Sequence, residues 1–222
     1  SQEIQRLARF CRQEDIPLIV DEVFSHLLFD ERPFPKAAEL AAREGVTVIT
    51  LDGVSKLLAS PDLKLGWITV HGPRATEYIE LLSFSNDLLL GANGYIQHAL
   101  PALLEELKPF REEMSKEIGR RKERSLEAFS SVPGFELVQG DGGIYSTLLL
   151  RDDLRQAGFD DEEAAVSLLQ EEQLYLHPGY FYGGEELRED APFLVTTHLA
   201  PPERLLEGIR RIGRWSTRHL VG

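Results

Sequence analysis

Two segments hold the side chains best placed for chemistry. IPLIVDEVF (16–24) reads as a buried strand ending in the carboxylates Asp21 and Glu22, and LDGVSKLLASPDLKLGW (51–67) presents Ser55, Lys56 and Lys64. An acid at the C-terminal end of one strand and a lysine just past the next is the pairing with which a protein holds pyridoxal phosphate. The carboxylate keeps the cofactor's ring nitrogen protonated, and the amine forms a Schiff base with its aldehyde. The expected chemistry is that of amines. No grouping of His, Cys, Asp and Glu has metal-ligand spacing, so no metal is expected.

The elements that must position these residues follow from the apolar pattern. Ile4, Leu7, Ala8, Phe10 and Cys11 recur at helical spacing, which predicts a helix over 2–15. The unalternated run Pro17–Val20 suits a strand covered on both faces, as in a parallel sheet. A loop with Pro33 and Pro35 follows, then a short helix near 36–44 ending at Gly45, a strand Val46–Leu51 and a third strand Trp67–Val70. Strand, helix, strand, loop, strand reads as an α/β unit with three parallel strands. Helices are expected at about 74–85 and 92–107, and then a long charged one at 109–130 that links two domains. Short strands and helices follow: FELVQG, GIYSTLLL, a helix 161–173, LYLHP, FLVTTHL and a helix from 202 to about 217. The expected division is 1–107, the C-terminal part of an α/β large domain, and 108–222, a small α+β domain.

Composition narrows the function. The 222 residues carry a net charge of −13, which argues against nucleic acid or an anionic membrane as a partner. Hydrophobic content of 42% and charged content of 27% are ordinary for a globular protein. The single cysteine, Cys11, rules out an internal disulfide framework and reads as a small core residue. No apolar run approaches the roughly 20 residues of a membrane span, and the cytoplasm is the expected compartment.

The ordered set VDEVF, SK, LKLGW, GGIY, HPGYFYG and a closing strand and helix resembles the C-terminal half of a class I/II aminotransferase, a fold-type I pyridoxal-phosphate enzyme like aspartate aminotransferase. The resemblance implies that Asp21 lies beneath the pyridine nitrogen and that Lys56 forms the Schiff base, then serves as general base between the substrate's α-carbon and the cofactor. It implies that Lys64 meets the phosphate where most relatives have an arginine, with Ser55 adding a hydroxyl. Substrates would be an amino acid and a 2-oxo acid, and the assembly a homodimer whose interface lies near the helix with Tyr95, Gln97 and Leu100. GGIY (142–145) and HPGYFYG (177–183) resemble segments on the substrate side, where Tyr145, Tyr180 and Phe181 would frame a pocket; the same aromatics serve equally as small-domain core.

The chain departs from the family at four positions. Gly53 stands where many relatives have a phosphate-binding serine. Phe24 replaces a tyrosine whose phenol bonds the cofactor's ring hydroxyl, which should raise the pKa of the Schiff base. Lys64 lacks the bidentate fork of an arginine. Val195 occupies the place of the arginine that clamps the substrate carboxylate, leaving Thr197, His198 or an upstream residue to hold it. The glycine/serine phosphate turn, the stacking aromatic and the ring-binding asparagine of the family would all lie upstream of Ser1, so the chain is expected to be a C-terminal portion that binds the cofactor poorly and is inactive alone. Two other readings use the same residues: a β- or γ-lyase, separated by assaying 2-oxo acid formation without an amino acceptor, and a non-catalytic effector domain of a transcription regulator, marked by an attached helix-turn-helix.

Overall fold

The helical spacing of Ile4, Ala8 and Cys11 winds the chain into α1 (Gln2–Gln13), which buries Ala8 and Cys11. The computed structural model describes residues 2–29, 36–89, 91–183 and 191–220, so the prolines expected to break the chain at 33 and 35 lie outside the described residues. Two units are present, Ser1–Met114 and Ser115–Gly222.

In the first unit β1 (Leu18–Asp21) runs parallel to β2 (Val48–Gly53), with Leu18 opposite Val48 and Asp21 opposite Leu51. Between them lies α2 (Ala37–Glu44), stopped by Gly45 in the left-handed conformation. Leu18, Val46 and Val48 pack with Ala8 and Cys11 of α1 and with Ala37, Leu40 and Ala41 of α2, a dry core on one face of the sheet. The other face is not covered by these helices, and Ile19 is 61% exposed, contrary to the two-sided burial that its apolar run predicts.

The third strand corrects a second expectation. β3 (Gly66–His71) pairs with β2 antiparallel, Gly53 opposite Gly66 and Val48 opposite His71. A parallel neighbour requires a crossover that carries the chain back along the whole sheet. Residues 54–65 do not make that journey. They wind into α3 (Val54–Leu57) and a 3-10 turn (Pro61–Leu63), and the Val54 N–H donates to Leu65 O at 3.0 Å, which closes the loop at the end where it began. The α/β class stands, with a mixed sheet of order β1-β2-β3.

Two further helices follow, α4 (Ala75–Asp87) and α5 (Gly94–Glu106), the second capped by the Asn93 side chain on the Tyr95 and Ile96 N–H groups. Ile96, Leu100, Leu103 and Leu104 of α5 pack on buried Val54, Leu57, Leu58 and Leu65. This second cluster pins α3 from below.

The division between the units falls within α6 (Lys108–Phe129). In the second unit the buried residues Ile118, Lys122, Ser125 and Phe129 recur at three- and four-residue intervals along one face of that helix. An antiparallel sheet of order β4-β5-β7-β6 is formed by β4 (Phe135–Gln139), β5 (Tyr145–Leu150), β6 (His177–Pro178) and β7 (Phe193–Thr197). It packs with α7 (Asp152–Gln156), α8 (Asp161–Glu172) and α9 (Pro202–Leu220) around Trp215, Leu148, Leu154, Leu168 and Leu194, all fully buried. Trp215 sits 4.9 Å edge-on to Phe159 and 6.0 Å from Phe135.

Candidate functional site

The parallel pair β1 and β2 ends at one edge of the first sheet, and the chemistry-bearing side chains follow directly. Asp21 closes β1, exposed, and its carboxylate accepts the Val23 N–H at 3.1 Å, a local turn that fixes the side chain at the strand end. The adjacent acid is committed elsewhere: Glu22 accepts the N–H of Ala37, the first residue of α2, at 2.9 Å. Of the two carboxylates, Asp21 is the one not engaged by a helix.

Lys56 rides on α3, five residues past the last rung of the β1–β2 ladder. Val54 and Leu57 are buried beneath it, so α3 cannot rotate without exposing apolar surface, and Ser55 and Lys56 remain half-buried on its other side. The Lys56 ammonium lies over the Phe24 ring, 5.8 Å from its centroid, a cation–π contact between the lysine turn and the loop after Asp21. Lys64 is exposed and holds a left-handed backbone, φ 49°, at the end of the 3-10 turn, where its N–H donates to Pro61 O. The structure thus brings Phe24 and Lys56 into contact and seats Asp21 at the end of the neighbouring strand. Lys64 lies at the far end of the loop that α3 begins. Asp21 and Lys56 lie at the carboxyl ends of the paired parallel strands, the edge at which open α/β sheets bind ligands.

In the second unit Tyr145, Val195 and Thr197 do come together. Tyr145 pairs with Thr197 and His177 with Val195 in register, and all four line a cavity of about 280 Å³ with Tyr175, Tyr182 and Arg204. His177 Nδ1 and the Tyr182 hydroxyl are 2.7 Å apart. Burial, with Tyr145 and Tyr175 nearby, pushes the Tyr182 phenol up. Tyr180 stands apart from this cavity; its backbone N–H donates to buried Asp161 at 2.8 Å and its ring packs edge-on to Phe181.

His198 belongs to the wall of the same cavity and is held by two serines. It is 1% exposed, with Nε2 2.7 Å from the Ser146 hydroxyl and Nδ1 3.4 Å from that of Ser125. Burial and then the nearby Lys122 amine push its pKa down to about 4. Lys122, 3% exposed, donates to Gly140 O and Gly142 O at 3.1 Å each, and burial lowers its pKa. Arg121 reaches the carbonyls of Leu199 and Ala200 at 3.0 and 3.1 Å. Helix α6 therefore grips one end of the β5–β7 pair, just before Tyr145 and just after Thr197. The sequence gives no local sign of this, since Lys122 stands 18 and 20 positions before the two glycines it meets.

Among the described residues no group of three or more His, Cys, Asp or Glu could hold a metal ion, and no helix is long and apolar enough to cross a membrane. Comparison with known proteins gives one consistent outcome. The family model described as "Aminotransferase class I and II" matches residues 1–189. A tyrosine aminotransferase of Dictyostelium discoideum is 24% identical over 226 residues, covering 98% of this chain and 52% of its own length. Among solved structures, an aminotransferase from Escherichia coli superposes with a TM-score of 0.80 at 21% identity, over 98% of this chain and 53% of that one. The α-aminoadipate aminotransferase LysN of Thermus thermophilus, complexed with N-(5'-phosphopyridoxyl)-L-leucine, gives 0.78 at 24% identity, over 98% and 54%. The chain spans about half the length of the curated relatives it matches.

Proposed function

The chain belongs to the class I and II aminotransferases, and from that premise we propose that it carries the acid and the lysine of a pyridoxal-phosphate site that moves an amino group between an amino acid and a 2-oxo acid. The residues present fit that cofactor in kind. Asp21 would face its ring nitrogen, Lys56 its aldehyde, and Ser55 with Lys64 its phosphate; Phe24 offers a ring face and no phenol donor. When bound, the group supplies an electron sink for the pair left at the substrate's α-carbon.

The rest falls to side chains of this chain. Lys56, as a free amine, would take the substrate's α-proton and return it to the carbon on the far side of the amino nitrogen, a task that needs it neutral and held close. The Asp21 carboxylate would sit opposite the positive charge of the cofactor's ring nitrogen. Tyr145 and Thr197, paired in register beside apolar Val195, offer the hydroxyls for the substrate side of the second unit. The observation that supports this reading most directly is the Lys56–Phe24 contact, which ties the lysine turn to the loop behind Asp21.

The intact protein is read as a cytoplasmic homodimer. Buried Cys11 suits a reducing compartment, and the exposed apolar side chains Phe84, Leu88 and Leu89 suit a surface covered by protein. Borohydride reduction of the intact protein in the presence of pyridoxal phosphate, followed by peptide mapping, should place the label on Lys56. Label on the exposed Lys36, Lys108 and Lys116 with Lys56 unmodified would overturn the reading.

A further inference from the structure

One side-chain pair beside the lysine turn has no part in the site just described. His26 Nε2 and Asp52 Oδ2 are 3.1 Å apart, with the histidine side chain 36% and the aspartate 15% exposed. His26 lies in the loop that begins at Asp21; Asp52 is the second-last residue of β2, shortly before Lys56. The other oxygen of Asp52 accepts the Gly53 N–H at 2.7 Å. Gly53 is the residue on which α3 starts, and α3 has no side-chain cap. A Cβ at Gly53 would meet Leu65 O at 3.0 Å and the Gly66 Cα at 3.1 Å, so the backbone here is held close to the returning strand and its orientation sets that of α3.

The loop on the other side is equally well defined. Ser25 N–H donates to Glu22 O at 2.8 Å and Leu27 N–H to Phe24 O at 3.0 Å, so His26 projects from a closed turn rather than a slack one. The β1–β2 ladder ends at Asp21 opposite Leu51, with one more bond from Glu22 N–H to Leu51 O at 2.9 Å. Past that rung the two segments are joined by side chains, Lys56 over Phe24 and His26 to Asp52.

From this geometry we infer that His26 and Asp52 are a positioning pair: they fix the start of α3, and with it Lys56, against the loop that follows Asp21. The pair works from behind. It lines a hollow of about 340 Å³ with Glu22, Lys36, Trp67 and His71, and neither Asp21, Lys56 nor Lys64 lines that hollow. Asp52 therefore reaches Lys56 through the Gly53 backbone, and His26 acts by holding Asp52 in the rotamer that accepts the Gly53 N–H. The importance of this for the cofactor rests on the reading above; the mechanical role does not.

The test is hydrogen exchange on the full chain, read by peptide mass, with borohydride trapping on the intact protein beside it. His26→Ala should speed exchange over 53–57 roughly three- to tenfold, the size of one lost hydrogen bond in a locally opening segment, and cut labelling of Lys56 by a similar factor. His26→Gln, which keeps a side-chain donor, should restore most of both. Peptides from β5 and α9 serve as controls and should not change. Unchanged exchange over 53–57 in both His26→Ala and Asp52→Ala would overturn the inference, and so would a uniform rise across both units, which marks general loss of stability. Should Lys56 go unlabelled in the unsubstituted protein, the cofactor reading falls, and the exchange result still decides the role of the pair.

Discussion

Acidification should loosen the second unit in large part through one residue, His198, and replacing that residue should shrink the effect. Ser125 already donates its hydroxyl hydrogen to Arg121 O at 2.8 Å, so toward His198 it accepts, and the proton sits on Nδ1. Nε2 then accepts from Ser146 at 2.7 Å. Protonating Nε2 requires Ser146 to turn its hydroxyl around, in a site 1% exposed with the Lys122 amine close by. The folded pKa is accordingly about 4, against an ordinary 6.5. A depressed base is neutral in both states above the ordinary value. Below it the unfolded chain takes up a proton that the folded one refuses, so stability falls with pH across the window from 6.5 to about 4 and this group adds nothing further below it. Between about pH 7 and about pH 4.5 the loss is roughly 2 kcal/mol, from about 1.4 kcal/mol per pKa unit.

The assay is urea denaturation of the unit at those two pH values, followed by the fluorescence of Trp215, fully buried in its core. Trp67, the other of the two tryptophans, is first changed to Phe so that the signal reports one unit. With a urea slope of about 1–2 kcal/mol per molar, the midpoint of the parent should fall by about 1 M or more. His198→Gln should be weaker near neutral pH by about 1 kcal/mol, for its lost hydrogen bonding, yet show a clearly smaller fall. Arginine-paired carboxylates such as Glu172 and Glu207 are held below their usual range and also cost stability in acid. They are present in both proteins, so the difference between the two slopes isolates the histidine. Equal slopes in parent and variant would refute the argument.

Two other substitutions test the packing and capping of the same unit. Gly134→Ala should cost about 2–4 kcal/mol, because φ is +75° and the new Cβ would lie 2.7 Å from Leu154 Cγ and Cδ1 and 2.9 Å from Ser216 Oγ; an unchanged urea midpoint would contradict it. Asp160→Ala should remove about 1 kcal/mol, since the Asp160 carboxylate accepts the Glu162 and Glu163 N–H groups at 2.8 and 2.9 Å while Glu163 accepts the Asp160 N–H in return. The check is amide exchange at Glu162 and Glu163, which should quicken ahead of the rest of α8.

How far the fold could be read in advance depends on what each signal encodes. The helices at 2–13, 37–44 and 161–172 were legible because apolar period and stop signals are local, and Gly45 ends α2 as a glycine should. The direction of β3 was not legible. Gly66–His71 has the same residue pattern whichever way it runs, and the deciding fact is that residues 54–65 fold back on themselves through the Val54–Leu65 bond. Two-sided burial of β1 failed for a related reason: Ile19 announces an apolar neighbour, and sequence states only that such a neighbour suits it, not that the described chain supplies one.

The same division runs through the site. Lys56 and Asp21 could be singled out in advance because an amine and an acid are the types the proposed chemistry needs, Asp21 at the end of one strand and Lys56 just past the next. The burial of His198 was not legible, because its surroundings, Ser125 and Ser146, come from elements separated from it by 73 and 52 positions. His26 and Asp52 escaped notice for the same cause at shorter range: 26 positions apart, they meet only because the β1–β2 register sets Asp21 opposite Leu51. Side chains that meet a ligand declare themselves by what they are. Those that orient the backbone beneath a ligand declare themselves only by whom they touch, and contact is fixed by register and strand direction, the two quantities that local pattern leaves open.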